Sequence, residues 1–441
     1  MKNCDFVGDA AIGRHNMLRW FIQVVALLTV ASAASAQVTA IRVGRIVDPA
    51  TDTVTTDQTI LVEDRKITAV GSSVSVPANA AVIDLPNSTL MPGLVDAHTH
   101  LCANVDPKWD LGDFWIYAVQ RRNGFRAILG AARAKEMLDA GFTTVRDVGN
   151  AGDYADMDVV KAIQLGIVNG PTIIAAGRII APFGGQFWDF PADRKMLENV
   201  EYYFADSHDE MRKAVRENIY YGARVIKVVA DGQRYVYSAD DLKFIVAEAA
   251  GAGVKVAVHA QTERGARNAI EAKVASVEHA WHVTDEDLAL AKNNGVIFVT
   301  TDFTVRELRA NGMTEAEATR VHNTYVERLR RVYRAGVTVA FGSDIMVDVE
   351  GTTRGQLAAE YIDSFVEAGI PAKAILRAMT VNAYQLLGID NERGSIKVGQ
   401  FADLIAMPRN PLEDIQALKS ITFVMKYGAV VKSIDSGKPL R

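Results

Sequence analysis

The chain has 441 residues, of which 49% are hydrophobic and 23% charged, and its net charge is −5. That length holds one large barrel-sized domain or two ordinary ones, and the balance is that of a soluble globular protein. It excludes a polybasic nucleic-acid binder and an acidic disordered arm.

The first informative stretch is "MLRWFIQVVALLTVASAASAQ", starting at Met17. Arg19 supplies positive charge, Trp20 to Val30 form an apolar run, and Ala34-Ser35-Ala36 is a small-residue cleavage site. The pattern reads as a secretory signal peptide cut before Gln37, which predicts a secreted or periplasmic protein. The apolar run is short for a bilayer span, so no stable membrane span is expected after cleavage; an uncleaved anchor is the competing reading. Met1 to Asn16 carry both signs of charge and read as an extension upstream of a true start at Met17. The two cysteines are Cys4 and Cys102, so the cleaved chain has no intrachain disulfide.

Residues 37–91 are rich in short β-branched runs separated by turns such as Asp48-Pro49 and Gly71-Ser72. Residues 394–441 repeat that character in "GSIKVGQFADLIAMP" and "ITFVMKYGAVVKSI". The two ends predict one small β-sandwich built from both termini. Between them, over 92–393, short apolar runs alternate with helical stretches. The strands expected are "LVDAHTH", 143–148, 172–176, 225–230, 255–260, 275–280, 296–301 and 337–344. "FRAILGAARAKEMLDAG" reads as a helix, and so does "SADDLKFIVAEAAGAG", with Ser238 as its N-cap. Strand–helix units in that number predict an α/β fold, a (β/α)8 TIM-type barrel. A doubly wound sheet is the runner-up.

Catalytic side chains of a barrel come from the C-terminal ends of its strands. The first strand supplies His98 and His100, which share a face because residues i and i+2 point the same way. The fourth supplies Lys227, the fifth His259, the sixth His279 and the eighth Asp344. Lys227 is the sharpest anomaly. It sits inside "RVIKVVA", where a bare ammonium is costly unless paired or neutralised. A carbamate formed with CO2 removes the positive charge and offers two oxygens to metal ions. The rival reading is a lysine salt-bridged to Asp231 or Asp344, or one snorkelling out at the strand end, and for this residue taken in isolation the rival reading wins. A lone histidine at a strand end is commonly a satisfied core residue, and Asp344 reads equally as a helix N-cap. Yet the chain has only eight histidines, and four of them fall at these strand ends. Imidazole is the commonest metal ligand.

In that order and rough spacing, "PGLVDAHTHL", the lone strand lysine, the histidine closing the next strand, "EHA" and "FGSD" resemble the amidohydrolase superfamily. The β-rich ends resemble the sandwich that flanks its barrel. The likeness is to the imidazolonepropionase-like branch, with its prolidase-type dipeptidases and ochratoxin hydrolases. It implies a binuclear site of two divalent ions, zinc foremost, held by His98, His100, Lys227, His259, His279 and Asp344. Lys227 would be carboxylated, and Asp344 would also be the catalytic acid–base. It implies hydrolysis of the C–N bond of a small-molecule amide or peptide, in dipeptides or N-acyl amino acids, including ochratoxin-like amides. Arg234 and Tyr235 are candidates to hold a substrate carboxylate or oxyanion, and His282 is a substrate-facing candidate. His208 and His322 lie in charged helical stretches and read as surface residues.

Two departures bear on the substrate. "GRIIAPFGGQFWDFPADR" is aromatic-rich where relatives carry a Gly/Thr/His-rich stretch, and "VVADGQRYVYS" is shorter than its counterpart. Two other functions are compatible with the ligands: a cyclic-amide or lactone hydrolase, and a non-catalytic periplasmic zinc-binding protein. Asp344 separates the last, since a pure binder has no use for a proton shuttle. A homo-oligomer is compatible with the sequence.

Overall fold

The computed structural model describes residues 37–150, 152–186 and 201–434. The segment read as a signal peptide, and Cys4 with it, lie outside the described residues.

The chain opens with four strands, β1 (Thr39–Asp48), β2 (Thr53–Glu63), β3 (Lys66–Gly71) and β4 (Ala81–Pro92). A run of short parallel strands follows. These are β5 (Leu94–Thr99), β6 (Phe142–Asp147), β7 (Thr172–Ala175), β8 (Ile179–Ala181), β9 (Tyr202–Phe204), β10 (Val225–Val229), β11 (Lys255–Ala260), β12 (Ser276–His279) and β13 (Ile297–Val299). The chain then returns as β14 (Leu404–Met407), β15 (Phe423–Lys426) and β16 (Ala429–Ser433).

Strands from both ends of the sequence share one seven-stranded sheet, ordered β16-β15-β14-β4-β1-β2-β3. The parallel pairing of β1 with β4 and the antiparallel pairing of β4 with β14 join the two ends. Ile41, Val43, Ile60, Leu85, Leu404, Phe423 and Met425 form its buried core.

The parallel strands form a three-stranded sheet, β5-β6-β7, and a six-stranded one, β13-β12-β11-β10-β8-β9. All five residues of β10 are buried, as expected where helices cover the strands. Single backbone hydrogen bonds link the sheets. The Arg224 amide donates to the Ala175 carbonyl at 2.9 Å, tying β7 to the entry of β10. Phe298 donates to Thr338 and Ala340 donates to Phe298, both at 2.9 Å. On the other side, Ala97 donates to Phe341 and Asp344 to His98, both at 2.8 Å. The stretch 337–344 thus lies between β13 and β5, but it is not the regular strand its sequence predicts. It pairs as an isolated bridge at Val339 with Phe298.

Helices fill the intervals where the 3.6-residue pattern places them. Asn123–Asp139 buries Ala134, Met137 and Leu138. Ala239–Ala250 starts at a capping box, with the Asp241 amide donating to Ser238 Oγ and the Ser238 amide to Asp241 Oδ2. Between strands and helices runs the main core, from Met91 and Phe142 through Val228 and Val258 to Phe341. This packing fixes the C-terminal strand ends, which carry the polar residues singled out above.

Candidate metal centre

On β5, His98 is fully buried and His100 nearly so. Asp96, two residues earlier, accepts from the His98 amide at 3.1 Å and the Ser343 amide at 3.0 Å. It therefore clamps β5 to the turn that carries Asp344. Burial pushes the Asp96 carboxyl up to about 7.

The His98 ring lies between two carboxylates. Its Nδ1 is 2.7 Å from Glu278 Oε2, and its Nε2 is 3.4 Å from Asp344 Oδ1. Asp344 Oδ1 is also 3.0 Å from His100 Nε2, and Asp344 Oδ2 is 3.6 Å from His279 Nδ1. Lys227 Nζ approaches His98 Nε2 at 3.5 Å. The His259 and His279 ring centroids are 4.5 Å apart, and those of His98 and His279 are 5.0 Å apart. The structure thus brings His98, His100, Lys227, His259, His279 and Asp344 into one cluster. Among the described residues, His98, His279 and Asp344 offer ligand atoms within 4.8 Å of one another.

The electrostatics favour metal binding. Burial, reinforced by the Lys227 charge, lowers His98 to about 4 and His259 to about 3. Burial, with the neighbouring His259 and His98, holds His279 well below its ordinary value. These three imidazoles are therefore neutral at pH 7, with lone pairs free for a cation. His100 goes the other way, because its contact with Asp344 outweighs its burial. Burial also lowers Lys227 to about 8, against the pull of Glu278 and Asp344. Burial opposes the Asp344 charge, but His98 and His100 outweigh it and keep the carboxyl below its usual range.

Two further observations fit a metal. His259 Nε2 is buried with no hydrogen-bond partner among the described residues. It is 3.9 Å from Asp231 Oδ1, whose carboxylate is occupied by Gln261 and Thr262 amides. And His279, Ala280, Thr301 and Asp344 all have left-handed backbones, with φ of 70°, 52°, 50° and 61°. Non-glycine residues hold that conformation only where their surroundings enforce it, which happens most at functional sites.

Several residues of the site carry little signal in the sequence. Glu278 is fully buried inside β12. It receives Arg146 Nη2 at 2.8 and 2.9 Å as well as His98 Nδ1, and Ser276 Oγ closes on it from the same strand. Burial opposes its charge, yet Arg146 and His98 hold it far below the usual carboxylate range. Arg146, on β6, also donates Nε to the Ala97 carbonyl at 2.5 Å. A polar residue flanking a histidine in "VEHA" and an arginine in "TVRDV" were the only available hints.

A cleft of about 210 Å³ opens onto the cluster, walled by Gln186, Glu201, Tyr202, Trp281, Phe303 and Met346. Residues 187–200 of the aromatic-rich loop lie outside the described residues, but both flanks of that stretch, Gln186 and Glu201, border the cleft. A larger cavity of about 350 Å³, lined by Arg65, Thr172 and Tyr427, holds none of the six clustered residues. Arg234, Tyr235 and His282 are exposed, and none of them lines the cleft among the described residues. His208 is half exposed and stacks on Phe244. His322 is not on the surface as its sequence context predicts. It is buried, with Nδ1 on the Phe303 carbonyl and Nε2 on Glu367.

Neutral imidazoles, a carboxylate and a lysine gathered at the ends of parallel strands define the class of metal-dependent α/β enzymes. Residues 89–438 match the Amidohydrolase family, and the chain belongs to it. Its members are metal-dependent, and the protein is a hydrolase acting on carbon–nitrogen bonds. It is 29% identical over 450 residues to an ochratoxinase of Aspergillus niger, covering 93% of this chain and 90% of that one. It is 25% identical over 414 residues to an imidazolonepropionase of Symbiobacterium thermophilum, covering 85% and 88%. Its structure is similar to a Xaa-Pro dipeptidase with methionine bound in the active site. There the TM-score is 0.78 at 28% identity, covering 90% of this chain and all of that one.

Proposed function

We propose that the protein is an exported, binuclear metal-dependent amidohydrolase that cleaves the amide bond of dipeptides or N-acyl amino acids, ochratoxin-like amides among them. The fold reading that goes with it is a (β/α)8 barrel closed through the 337–344 stretch, flanked by a sandwich to which both termini contribute. The relatives named ochratoxinase and Xaa-Pro dipeptidase support the substrate class. One observation carries the metal assignment: six ligand-type residues converge on one cleft, where His259 Nε2 is buried without a hydrogen-bond partner among the described residues.

His98, His100, His259, His279 and Asp344 would hold two divalent ions, zinc foremost. Lys227 would complete the set as its carbamate, formed when its neutral amine adds CO2 and sheds a proton. When bound, such ions activate water near neutral pH and polarise a carbonyl. The protein's residues do the rest. Glu278 fixes the proton of His98 on Nδ1, which leaves Nε2 a lone pair. Asp344, through Oδ2, takes a proton from the attacking water and delivers it to the leaving nitrogen. Trp281 and Phe303 form the apolar wall that excludes bulk water.

The test is a panel of dipeptides and N-acyl amino acids, assayed with metal-stripped and zinc-reconstituted protein. The proposal expects hydrolysis that chelators abolish and zinc restores. A metal-loaded protein that cleaves no amide would overturn it. Export carries its own check: N-terminal sequencing of native material should begin at Gln37, and residues before Ala31 would contradict cleavage.

A further inference from the structure

The cavity of about 350 Å³ lies at the other end of the parallel strands from the metal cluster. Thr172 opens β7 there, and Arg224 immediately precedes β10. The seven-stranded sheet supplies the facing wall. It contributes Arg65 from the turn between β2 and β3, Lys426 from β15, Tyr427 from the turn that follows and Val431 from β16. Much of the remaining lining is apolar: Leu138, Val160, Ile163, Val168 and Ile173. Ligand pockets are typically lined by apolar side chains with a few polar groups, and they favour the joints between domains.

The charged lining is of one sign. Arg65, Arg224 and Lys426 border the cavity, and among the described residues no Asp or Glu does. Arg65 and Arg224 are exposed and form no salt bridge among the described residues. The Arg65 guanidinium carbon stands 4.0 Å from the centroid of the Tyr427 ring. Stacking uses the flat face of a guanidinium and leaves its in-plane N–H groups for an anion. Lys426 is buried and donates to Asp403 Oδ2 at 2.6 Å and to Thr172 Oγ1 at 2.8 Å. Asp403 also accepts from Arg393 at 2.8 Å, so one carboxylate faces two buried cations. Glu392 reaches Arg393 only at 3.7 Å, from a half-exposed position. The Tyr427 phenol responds to this excess of positive charge. Burial opposes its ionisation, yet Lys426, Thr172 and Arg393 outweigh burial and hold the phenol below its ordinary value.

We propose that this cavity is a binding site, separate from the metal centre, for an organic carboxylate with an apolar body, such as a medium-chain fatty acid. Arg65 and Arg224 meet the carboxylate, and the hydrocarbon covers Leu138, Ile163 and Ile173. Both parts of the lining are needed to choose this class. An inorganic anion leaves the apolar residues in water, and a neutral hydrocarbon leaves two guanidinium groups without an acceptor. Such a ligand touches the seven-stranded sheet and the parallel strands at once, so it stabilises their junction.

The experiment is calorimetric titration of the zinc-loaded full-length protein with octanoate, octanamide and inorganic phosphate. Hydrogen bonds to charged groups predict that octanoate binds about 10-fold more tightly than octanamide. Phosphate, which has no apolar body, should bind more weakly than octanoate. The double variant Arg65→Gln/Arg224→Gln changes two exposed side chains and no clustered residue, so it should hold zinc as the parent does and lose the preference for octanoate. Ile163→Ser should weaken octanoate and octanamide alike. Octanoate should also raise the unfolding temperature of the parent more than that of the double variant. Absence of saturable octanoate binding overturns the proposal, as does equal binding of octanoate and octanamide to the parent. Phosphate binding as tight as that of octanoate overturns it too, because the apolar lining would then play no part. So does a preference for octanoate that survives undiminished in the double variant, because the metal ions would then be holding the carboxylate.

Discussion

Replacing Glu278 by glutamine tests how the site is held. Glu278 has no solvent exposure and balances Arg146, itself only 2% exposed. The amide keeps the shape but removes the charge, leaving the Arg146 guanidinium buried without a counter-ion. Breaking a buried pair in this way costs about 3–5 kcal/mol. Glutamine also has one acceptor where the carboxylate offered two. With its carbonyl turned to Arg146, its NH2 faces His98 Nδ1, and His98 must then carry its proton on Nε2. That nitrogen can no longer bind a cation. Loss of such a supporting contact lowers metal affinity by about 10- to 100-fold. Stability is to be measured by denaturant unfolding of the metal-free protein, so that metal loss does not enter the difference. Affinity is to be measured by competitive zinc titration. A stability loss below about 1 kcal/mol, the size of an ordinary substitution, with unchanged zinc affinity would refute the reasoning.

Asp344→Asn should fold and keep much of its metal, yet lose about 10²–10⁴-fold in kcat, because an amide oxygen coordinates weakly and cannot accept a proton. Near-normal kcat would make Asp344 structural. Lys227→Ala should lose metal and nearly all activity, and small carboxylic acids in the medium should partly restore both; rescue by none of them would count against a carbamate. The same lysine predicts a pH effect in the metal-free protein. Its amine is lowered from 10.5 to about 8, so between those values the unfolded chain holds a proton that the folded chain has shed. Stability should therefore rise with pH from about 8 toward 10.5, and Lys227→Met should flatten that rise. Matching slopes in the two proteins would show that the buried amine is not perturbed.

The clustered residues were legible because each broke a strong local rule. His98, His100, Lys227, His259 and His279 are polar groups inside or at the end of apolar β runs, and short buried strands have few reasons to carry them. Their partners were not legible. Glu278 on β12 and Arg146 on β6 meet between two different sheets, a contact that depends on how those sheets are brought together. Neither β8 nor β9 stood out, since three residues carry too little period to read. The stretch 337–344 reads as a strand by its alternating valines, yet its backbone bonds are divided between Phe298 on one side and β5 on the other. His322 looked like a surface residue because its helix is charged, but its ring faces the Phe303 carbonyl, a contact between distant segments. Trp281 and Phe303, which wall the cleft, likewise come from segments that only the tertiary structure brings together.

The central claim is that His98, His100, Lys227, His259, His279 and Asp344 form one two-metal site that supports amide hydrolysis. Elemental analysis of the purified active protein, paired with its specific activity during stepwise metal removal, tests this most directly. The account predicts two divalent ions per chain, with activity falling as they leave and returning when zinc and bicarbonate are restored. Full activity with at most one ion bound would contradict it.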